Sequence, residues 1–396
     1  METLGLYIQV PFCASKCSFC NFSSRVARRD VYDRYCRSVI DEIDRLPQFY
    51  RSAGIACNLL NAPIDSAYIG GGTPSILGAE RLAQVIEKLR QQFQFAPAVE
   101  FTLEVTPGSA DGDFLKRALA LGVNRLSIGA QSFADAELRS VGRLHSAEDT
   151  RALVQAARER GFANISLDLI TGLPYQSAGS WQSSLQSAIA QRPEHISVYL
   201  FEIDEKSRLG SEVLRHGVRY HAGAIPDEDF MADAYEQARQ MLRQEGYIQY
   251  EISNFALPGR ESIHNRKYWQ LKPYLGLGAG AHSCDGQTRW SNVTPVEEYE
   301  GRLQRGEPPI GEQHTLSPAT QVEEFFFLGL RQMEGINLSE AGERWGRERV
   351  ERWSQTIESL ENGGWLERVN DRVRLADSAL LVSNEIFQEF IGAKGL

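Results

Sequence analysis

Short apolar runs rich in β-branched and aromatic residues recur through the first 200 residues, each followed by an amphipathic segment. The runs are Leu6–Val10, Ser66–Ile69, Val99–Val105, Arg125–Ile128, Asn164–Ile170 and His195–Phe201. The amphipathic segments are Val31–Leu46, Ala79–Phe93, Asp111–Leu121, Ala147–Arg160, Ser180–Ala190 and Asp227–Glu245. Alternation at this spacing predicts a parallel sheet with right-handed helical crossovers. Six βα units are too few to close an eight-fold barrel, so the expected fold is α/β, a partial (β/α)6 barrel. In such folds the working site lies at the C-terminal ends of the strands.

Unusual residues gather at those ends. Pro11-Phe12-Cys13 follows the first strand, Gly70-Gly71-Gly72-Thr73-Pro74 the second, and Gly129-Ala130-Gln131-Ser132-Phe133 the fourth. Glu104 lies near the end of the third strand and Asp168 inside the fifth, which runs into Thr171-Gly172-Leu173-Pro174. Polar residues within apolar strands are costly unless paired or functional.

The alternation stops at about residue 245. Tyr247–Phe255 reads as one strand, followed by His264-Asn265-Arg266-Lys267-Tyr268-Trp269 and a glycine-rich stretch to His282. Gly306–Pro318 reads as a proline-bearing linker. Beyond it, helices are expected near Ala319–Gln332, Leu338–Trp345 and Arg349–Asn362, with a hairpin turning at Asn370-Asp371. The expected division is a barrel over 1–245, an extension and linker over 246–316, and a small α+β, winged-helix-like domain over 317–396. That last segment carries 9 basic against 14 acidic residues. A wing that reads nucleic acid should be basic, so packing or partner docking is expected and nucleic acid is not.

The 396 residues, 42% hydrophobic with a net charge of −10, suffice for a sizeable core and argue against nonspecific phosphate binding. Met1 to Val10 lacks a basic leader, and no run of about 18 apolar residues occurs. A cytoplasmic location without a transmembrane segment is expected. Six cysteines in a chain this long do not make a disulfide scaffold, so a reducing compartment is inferred.

Three of those cysteines, Cys13, Cys17 and Cys20, form a Cx3Cx2C triplet in a predicted loop. Thiolates hold iron–sulfur clusters, and three of them on a four-iron cluster leave one iron open. Structural zinc usually wants four ligands, and no fourth Cys or His lies nearby. Three buried free thiols, or zinc completed from afar, are the alternatives. Gly70–Pro74 alone reads as a tight βα turn, or as backbone left bare for close approach of a charged ligand.

The Cx3Cx2C triplet after a first strand, with a glycine loop after the second, resembles the radical S-adenosylmethionine (SAM) superfamily. The resemblance implies that Cys13, Cys17 and Cys20 ligate a [4Fe-4S] cluster whose open iron takes the amino and carboxylate groups of SAM. Electron transfer would then cleave SAM to methionine and a 5′-deoxyadenosyl radical, with Phe12, Phe19 and Phe22 limiting solvent access. The ordered set Tyr7–Cys13, Gly70–Pro74, Leu103–Val105, Gly129–Phe133, Leu167–Pro174 and His264–Trp269 resembles, more narrowly, the HemN/HemW family. That family joins oxygen-independent coproporphyrinogen III dehydrogenases with heme chaperones of porphyrin metabolism. By this resemblance Tyr7, Phe19, Gly71, Gly72, Thr73, Glu104, Gln131, Arg143 and Asp168 would contact SAM.

Two features point to the chaperone branch. The dehydrogenases are longer at the N-terminus and carry a fourth Cys just after the triplet, whereas Cys20-Asn21-Phe22-Ser23-Ser24 has none. The His264-Asn265-x-x-Tyr268-Trp269 element resembles the HemW branch, and His264 and His282 are candidate heme ligands, since imidazole is a standard axial donor. The family usually has histidine where this chain has Gln9, which can neither shuttle a proton nor ligate iron. Three readings follow. The first is a HemW-like chaperone binding cluster, SAM and heme, with a haemoprotein acceptor and an electron donor as partners, whose work is binding and transfer with little turnover and for which the resemblance leaves reductive SAM cleavage open. The second is a coproporphyrinogen dehydrogenase or HemN-like methylase. The third is a zinc- or nucleic-acid-binding α/β protein.

Overall fold

The structure, a computed structural model, describes residues 3–392; the ends of the first and last expected segments, 1–2 and 393–396, lie outside the described residues. The six predicted strands form as β1 (Leu4–Val10), β2 (Ile64–Gly71), β3 (Phe95–Val105), β4 (Arg125–Gln131), β5 (Ile165–Thr171) and β6 (His195–Leu200), parallel and side by side in chain order. Between them run α1 (Arg29–Ala53), α2 (Ala79–Gln92), α3 (Gly112–Ala120), α4 (Ala147–Glu159) and α5 (Ala178–Ala190), with α6 (Glu228–Gln244) after β6. Side-chain caps set several starts. Asp111 and Asp227 accept the backbone N–H of Phe114 and Phe230, and Ser146 with Asp149 closes a capping box. Helix α1 runs through Pro47 past the expected end at Leu46. Phe49 and Tyr50 bury beyond the proline, and Gly54, at φ +71°, ends the helix.

The strands have two unlike faces. Leu126, Ile128 and Ala130 of β4, Ile165, Leu167 and Leu169 of β5, and Ile196 and Val198 of β6 are buried in the apolar core. Their alternate neighbours Arg125, Ser127, Ser166, Asp168, His195 and Ser197 face a common cavity inside the barrel.

Beyond β6 the structure overturns two expectations, the single strand and the linker, and adds two elements the sequence left unassigned. Tyr247–Phe255 is not one strand but a hairpin of β7 (Ile248–Gln249) and β8 (Asn254–Ala256), with β8 antiparallel to β6. His264–Trp269 lies on a helix, α7 (Ile263–Trp269). A seventh parallel strand, β9 (Tyr274–Leu277), pairs with β1 on the side opposite β2. The expected linker contains a strand. From β9 the sheet continues through β10 (His282–Cys284), β11 (Thr288–Asn292) and β12 (Ile310–Thr315), all antiparallel neighbours. Residues 246–316 thus extend the barrel's own sheet to twelve strands.

The C-terminal unit has α8 (Val296–Gln304) before it and contains α9 (Pro318–Gly329), β13 (Ile336–Asn337), α10 (Leu338–Trp345), β14 (Leu366–Val369) and β15 (Arg372–Leu375). The expected helix Arg349–Asn362 is instead two, Arg347–Glu351 and Ser354–Asn362, broken at Arg352-Trp353. The hairpin forms as expected, and β15 also pairs with β13, giving a three-stranded winged-helix-like sheet. Phe326 stacks on Phe390 with ring centroids 4.6 Å apart in its core.

One buried carboxylate ties the extension to the barrel. Glu42 of α1 accepts the Gly278 N–H at 2.8 Å, the Asn292 amide at 2.6 Å and the Tyr299 hydroxyl at 2.6 Å. Burial pushes its pKa up to about 6. Glu42→Leu strands three buried donors, each worth roughly 1–3 kcal/mol. Urea unfolding should therefore lose about 3 kcal/mol or more relative to wild type.

Candidate functional site

A cavity of about 1170 Å³ opens at the C-terminal ends of the barrel strands and runs down into the barrel. Cys13, Cys17 and Cys20 line its mouth, all partly exposed and none in a disulfide. Their loop is held from several sides. Gly72 and Thr73 donate backbone N–H bonds to Val10 and Phe12 carbonyls at 2.8 and 2.7 Å. The Arg208 guanidinium donates to the Lys16 carbonyl, and Asn21 donates to Asp204 at 2.6 Å. A Cβ on Gly72 would sit 2.4 Å from the Phe12 carbonyl oxygen. The bare glycine backbone therefore first serves close packing on the cysteine loop. Burial raises the Cys20 thiol, and the neighbouring Cys17 and Cys13 raise it further.

Among the described residues no three Cys, His, Asp or Glu side chains converge on one metal-ion position. The cysteine sulfurs do not share a point, and on a four-iron cluster they need not, because each thiolate binds a different iron.

Arg143 reaches the mouth between Gly129 and Cys17. Its guanidinium donates to the Gly129 carbonyl at 2.6 Å and lies 3.6 Å from Cys17 Sγ, while its Nε is buried without a partner. Gln131 ends β4 at φ +66°, a conformation that strains a non-glycine residue, across an irregularity in the β4–β5 register.

Two carboxylates face the cavity. Glu104 accepts the Tyr68 hydroxyl at 2.8 Å and the Gly71 N–H at 2.9 Å. Burial, then the nearby negative Asp168, raises its pKa to about 7 despite those bonds. Asp168 accepts Ser197 at 2.9 Å, Ser127 at 3.3 Å and Ser166 at 3.5 Å, and burial raises it too. Two desolvated carboxylates facing one space favour a cationic ligand.

Of the residues expected around SAM, Phe19, Gly71, Gly72, Thr73, Glu104, Gln131, Arg143 and Asp168 line this one cavity. Tyr7 does not. It lies behind the lining, stacked on Tyr68 and His264, and its hydroxyl donates to Gln9 at 2.7 Å. Phe12 is fully buried below the loop, and Phe22 is 63% exposed rather than shielding the thiols.

His264 is 2% exposed. Its Nδ1 is 3.1 Å from the Ser66 hydroxyl and its Nε2 2.8 Å from the Tyr268 hydroxyl. Burial, with the Lys267 and Arg125 charges, lowers its pKa to about 3. A neutral imidazole with both nitrogens engaged has no lone pair left for iron. His282 is exposed on β10, and Cys284 is buried beside Arg289. Sequence reasoning missed Tyr68, Arg125, Ser127, Ser166, His195 and Ser197. Their signal was the polar alternation along each strand.

This mouth and barrel define a class. Residues 7–188 match the model of the Radical SAM superfamily, and residues 316–382 match that of the HemN C-terminal domain. The chain is 33% identical to "Heme chaperone HemW" of Bacillus subtilis over 98% of both proteins. It is 31% identical to the protein of that name from Lactococcus lactis, over 97% of this chain and 96% of the relative. The solved structure of coproporphyrinogen III oxidase (HemN) from Escherichia coli superposes with a TM-score of 0.84 at 23% identity, covering 98% of this chain and 90% of that one. The chain belongs to the HemN/HemW family of radical SAM proteins.

Glu104 titrates measurably. Folding raises its pKa from 4.5 to about 7, so the folded state holds a proton more tightly than the unfolded chain. Its cost to stability is absent below about pH 4.5 and grows as pH rises to about 7. Glu104→Gln should gain stability over wild type by up to about 3 kcal/mol between pH 4.5 and 8, read by denaturant titration at each pH. A pH-independent difference would contradict the assignment.

Proposed function

We propose that this chain is a HemW-like heme chaperone that holds a [4Fe-4S] cluster, binds SAM and heme, and passes heme to an acceptor haemoprotein. The observation that carries this reading is the convergence of three loop cysteines and two desolvated carboxylates on one cavity mouth, in a chain similar over nearly its whole length to proteins named heme chaperone HemW.

In this reading Cys13, Cys17 and Cys20 are the cluster ligands. When bound, the cluster supplies the electron for reductive cleavage of SAM. Glu104 faces the cationic end of SAM, Arg143 pairs its carboxylate, and Asp168 takes ribose hydroxyls. Gly71, Gly72, Thr73, Phe19 and Gln131 complete the walls, with Tyr7 supporting Tyr68 from behind. The Arg143 guanidinium lies 3.6 Å from Cys17 Sγ, next to the proposed cluster ligands.

Residues 1–245 supply this site, 246–316 brace the barrel, and 317–396 offer an acidic winged-helix-like unit for a protein partner rather than nucleic acid. No helix among the described residues is long and apolar enough to cross a membrane, in keeping with work in the cytoplasm. Heme is taken at a position other than His264, whose nitrogens are both engaged. Exposed His282 is the remaining imidazole candidate. Gln9 donates no proton to a porphyrinogen and instead packs on Gly71, which disfavours the dehydrogenase reading.

Two measurements test this. Cys17→Ala should abolish iron and labile sulfide after anaerobic reconstitution, and full iron retention would remove Cys17 from the ligand set. Anaerobic titration with heme should give a saturable Soret band, while incubation with coproporphyrinogen III, SAM and reductant should give no decarboxylated product. Formation of protoporphyrinogen would overturn the chaperone reading.

A further inference from the structure

Tyr7 and His264 stand out in the sequence motifs, yet neither lines the cavity. They meet behind a residue that does, Tyr68. The Tyr68 ring centroid is 6.0 Å from that of Tyr7 and 5.2 Å from that of His264, and those two are 6.2 Å apart. The three rings are close to parallel, with interplanar angles of 23°, 28° and 26°. They come from β2, β1 and α7, elements that only the fold brings together. Each backing ring is itself fixed. His264 is held between the Ser66 and Tyr268 hydroxyls, and burial keeps its imidazole neutral. The Tyr268 ring meets it edge-on at 5.2 Å and rests in turn on Tyr274 at 4.6 Å. The Tyr7 hydroxyl is tied to Gln9. Tyr68 is half-buried, with these rings behind it and the cavity before it.

What Tyr68 holds is Glu104. Its hydroxyl donates to Oε1 at 2.8 Å, and the Gly71 N–H donates to Oε2 at 2.9 Å. Among the described residues no other group donates a hydrogen bond to this carboxylate. The pair is tightly fitted. A Cβ on Gly70 would sit 2.7 Å from the Tyr68 ring and 2.8 Å from Glu104 Oε1, so the first glycine of the Gly70–Pro74 loop is demanded by this contact. Burial, then the Glu104 charge, raises the Tyr68 phenol, which therefore stays a donor. Tyr7 from β1, Tyr268 from α7 and Asp168 from β5 also face Glu104, and Arg125 of β4 acts on Tyr68 and Asp168.

We infer that Tyr68 is a positioning residue for the mouth carboxylate Glu104, and that the Tyr7 and His264 rings are the backing that keeps its hydroxyl there. The histidine of the His264-Asn265-x-x-Tyr268-Trp269 element then serves the mouth through Tyr68 and not through a metal. The SAM reading is needed only for the identity of the cation that Glu104 faces. A hydrogen bond to the charged form of a carboxylate favours that form. Without the Tyr68 hydroxyl, Glu104 keeps its proton to higher pH and is free to turn from the mouth. A cation gains from Glu104 only once that proton has left, so binding then needs a higher pH.

The test uses full-length, cluster-reconstituted protein and two readouts taken across the neutral pH range. One is the infrared carboxylic-acid band of Glu104, identified by its absence from Glu104→Gln and measured without SAM. The other is SAM affinity by equilibrium dialysis, compared with wild type at each pH because the amino group of SAM titrates alike in every sample. Tyr68→Phe keeps the ring and removes the hydroxyl. It should move the Glu104 titration up by about one to two pH units, the range for losing a hydrogen bond to a charged group. SAM affinity should fall about tenfold near neutral pH, with the loss shrinking as pH rises. His264→Ala should move both readouts the same way. Combined with Tyr68→Phe it should move them no further than Tyr68→Phe alone, because His264 acts through Tyr68. His264→Phe restores a ring and should restore the profile toward wild type, and iron content should match wild type throughout. Tyr7→Leu removes the other backing ring and carries the test if His264→Ala does not fold. An unmoved Glu104 titration in Tyr68→Phe overturns the positioning role. Additive effects in the double variant, or an unmoved titration in the folded ring variants, overturn the backing. A titration that moves while SAM affinity stays at wild type defeats the SAM reading of the mouth and leaves the positioning role standing.

Discussion

The two-faced strand is the constraint on which the rest of this structure depends. In a closed βα barrel, branched aliphatic side chains fill the interior in layers. Here the aliphatic residues of β4, β5 and β6 face the outer core, and the inward positions carry serine, arginine, aspartate and histidine. The sheet is anchored by what packs outside it, so its interior is released from the work of stabilising the fold. The cost appears as displaced titrations. Glu104 and Asp168 are driven up, and His195 and His264 are driven down. An interior that tolerates such costs is arranged for ligands that offset them.

The same alternation explains what could be read before any coordinates. The six parallel strands and the helices between them were legible because period-two and period-3.6 patterns alternate cleanly. Strand β9 was not, since Gly276 interrupts its apolar pattern and Gly278 directly follows it. Both glycines are demanded by contact: a Cβ at Gly276 would meet the His282 carbonyl at 2.2 Å, and one at Gly278 the Tyr35 hydroxyl at 2.4 Å. Strand β12 hid between flanking prolines, Pro308-Pro309 and Pro318, and behind its exposed side chains. At the site, loop motifs exposed the mouth residues, whereas Arg125, Ser166 and His195 lie at the starts of strands, first or second in each, and carry no motif. Only their common parity along the strands marks them. Tyr7 differs, for motif membership points to a ligand contact while in the structure it packs beside Tyr68 and His264, behind the cavity lining.

The His264-Asn265-x-x-Tyr268-Trp269 element shows why chemistry cannot be assigned from residue type alone. Its helix α7 closes the barrel bottom, with its first turn bound by Glu100. His264 bridges Ser66 and Tyr268, Lys267 pairs with Asp65 at 2.8 Å, and the Arg331 guanidinium lies 4.5 Å over the Trp269 ring. Each conspicuous side chain of the element is thus spent on holding the plug. Asn265 is the exception, since its amide faces the cavity instead of the fold.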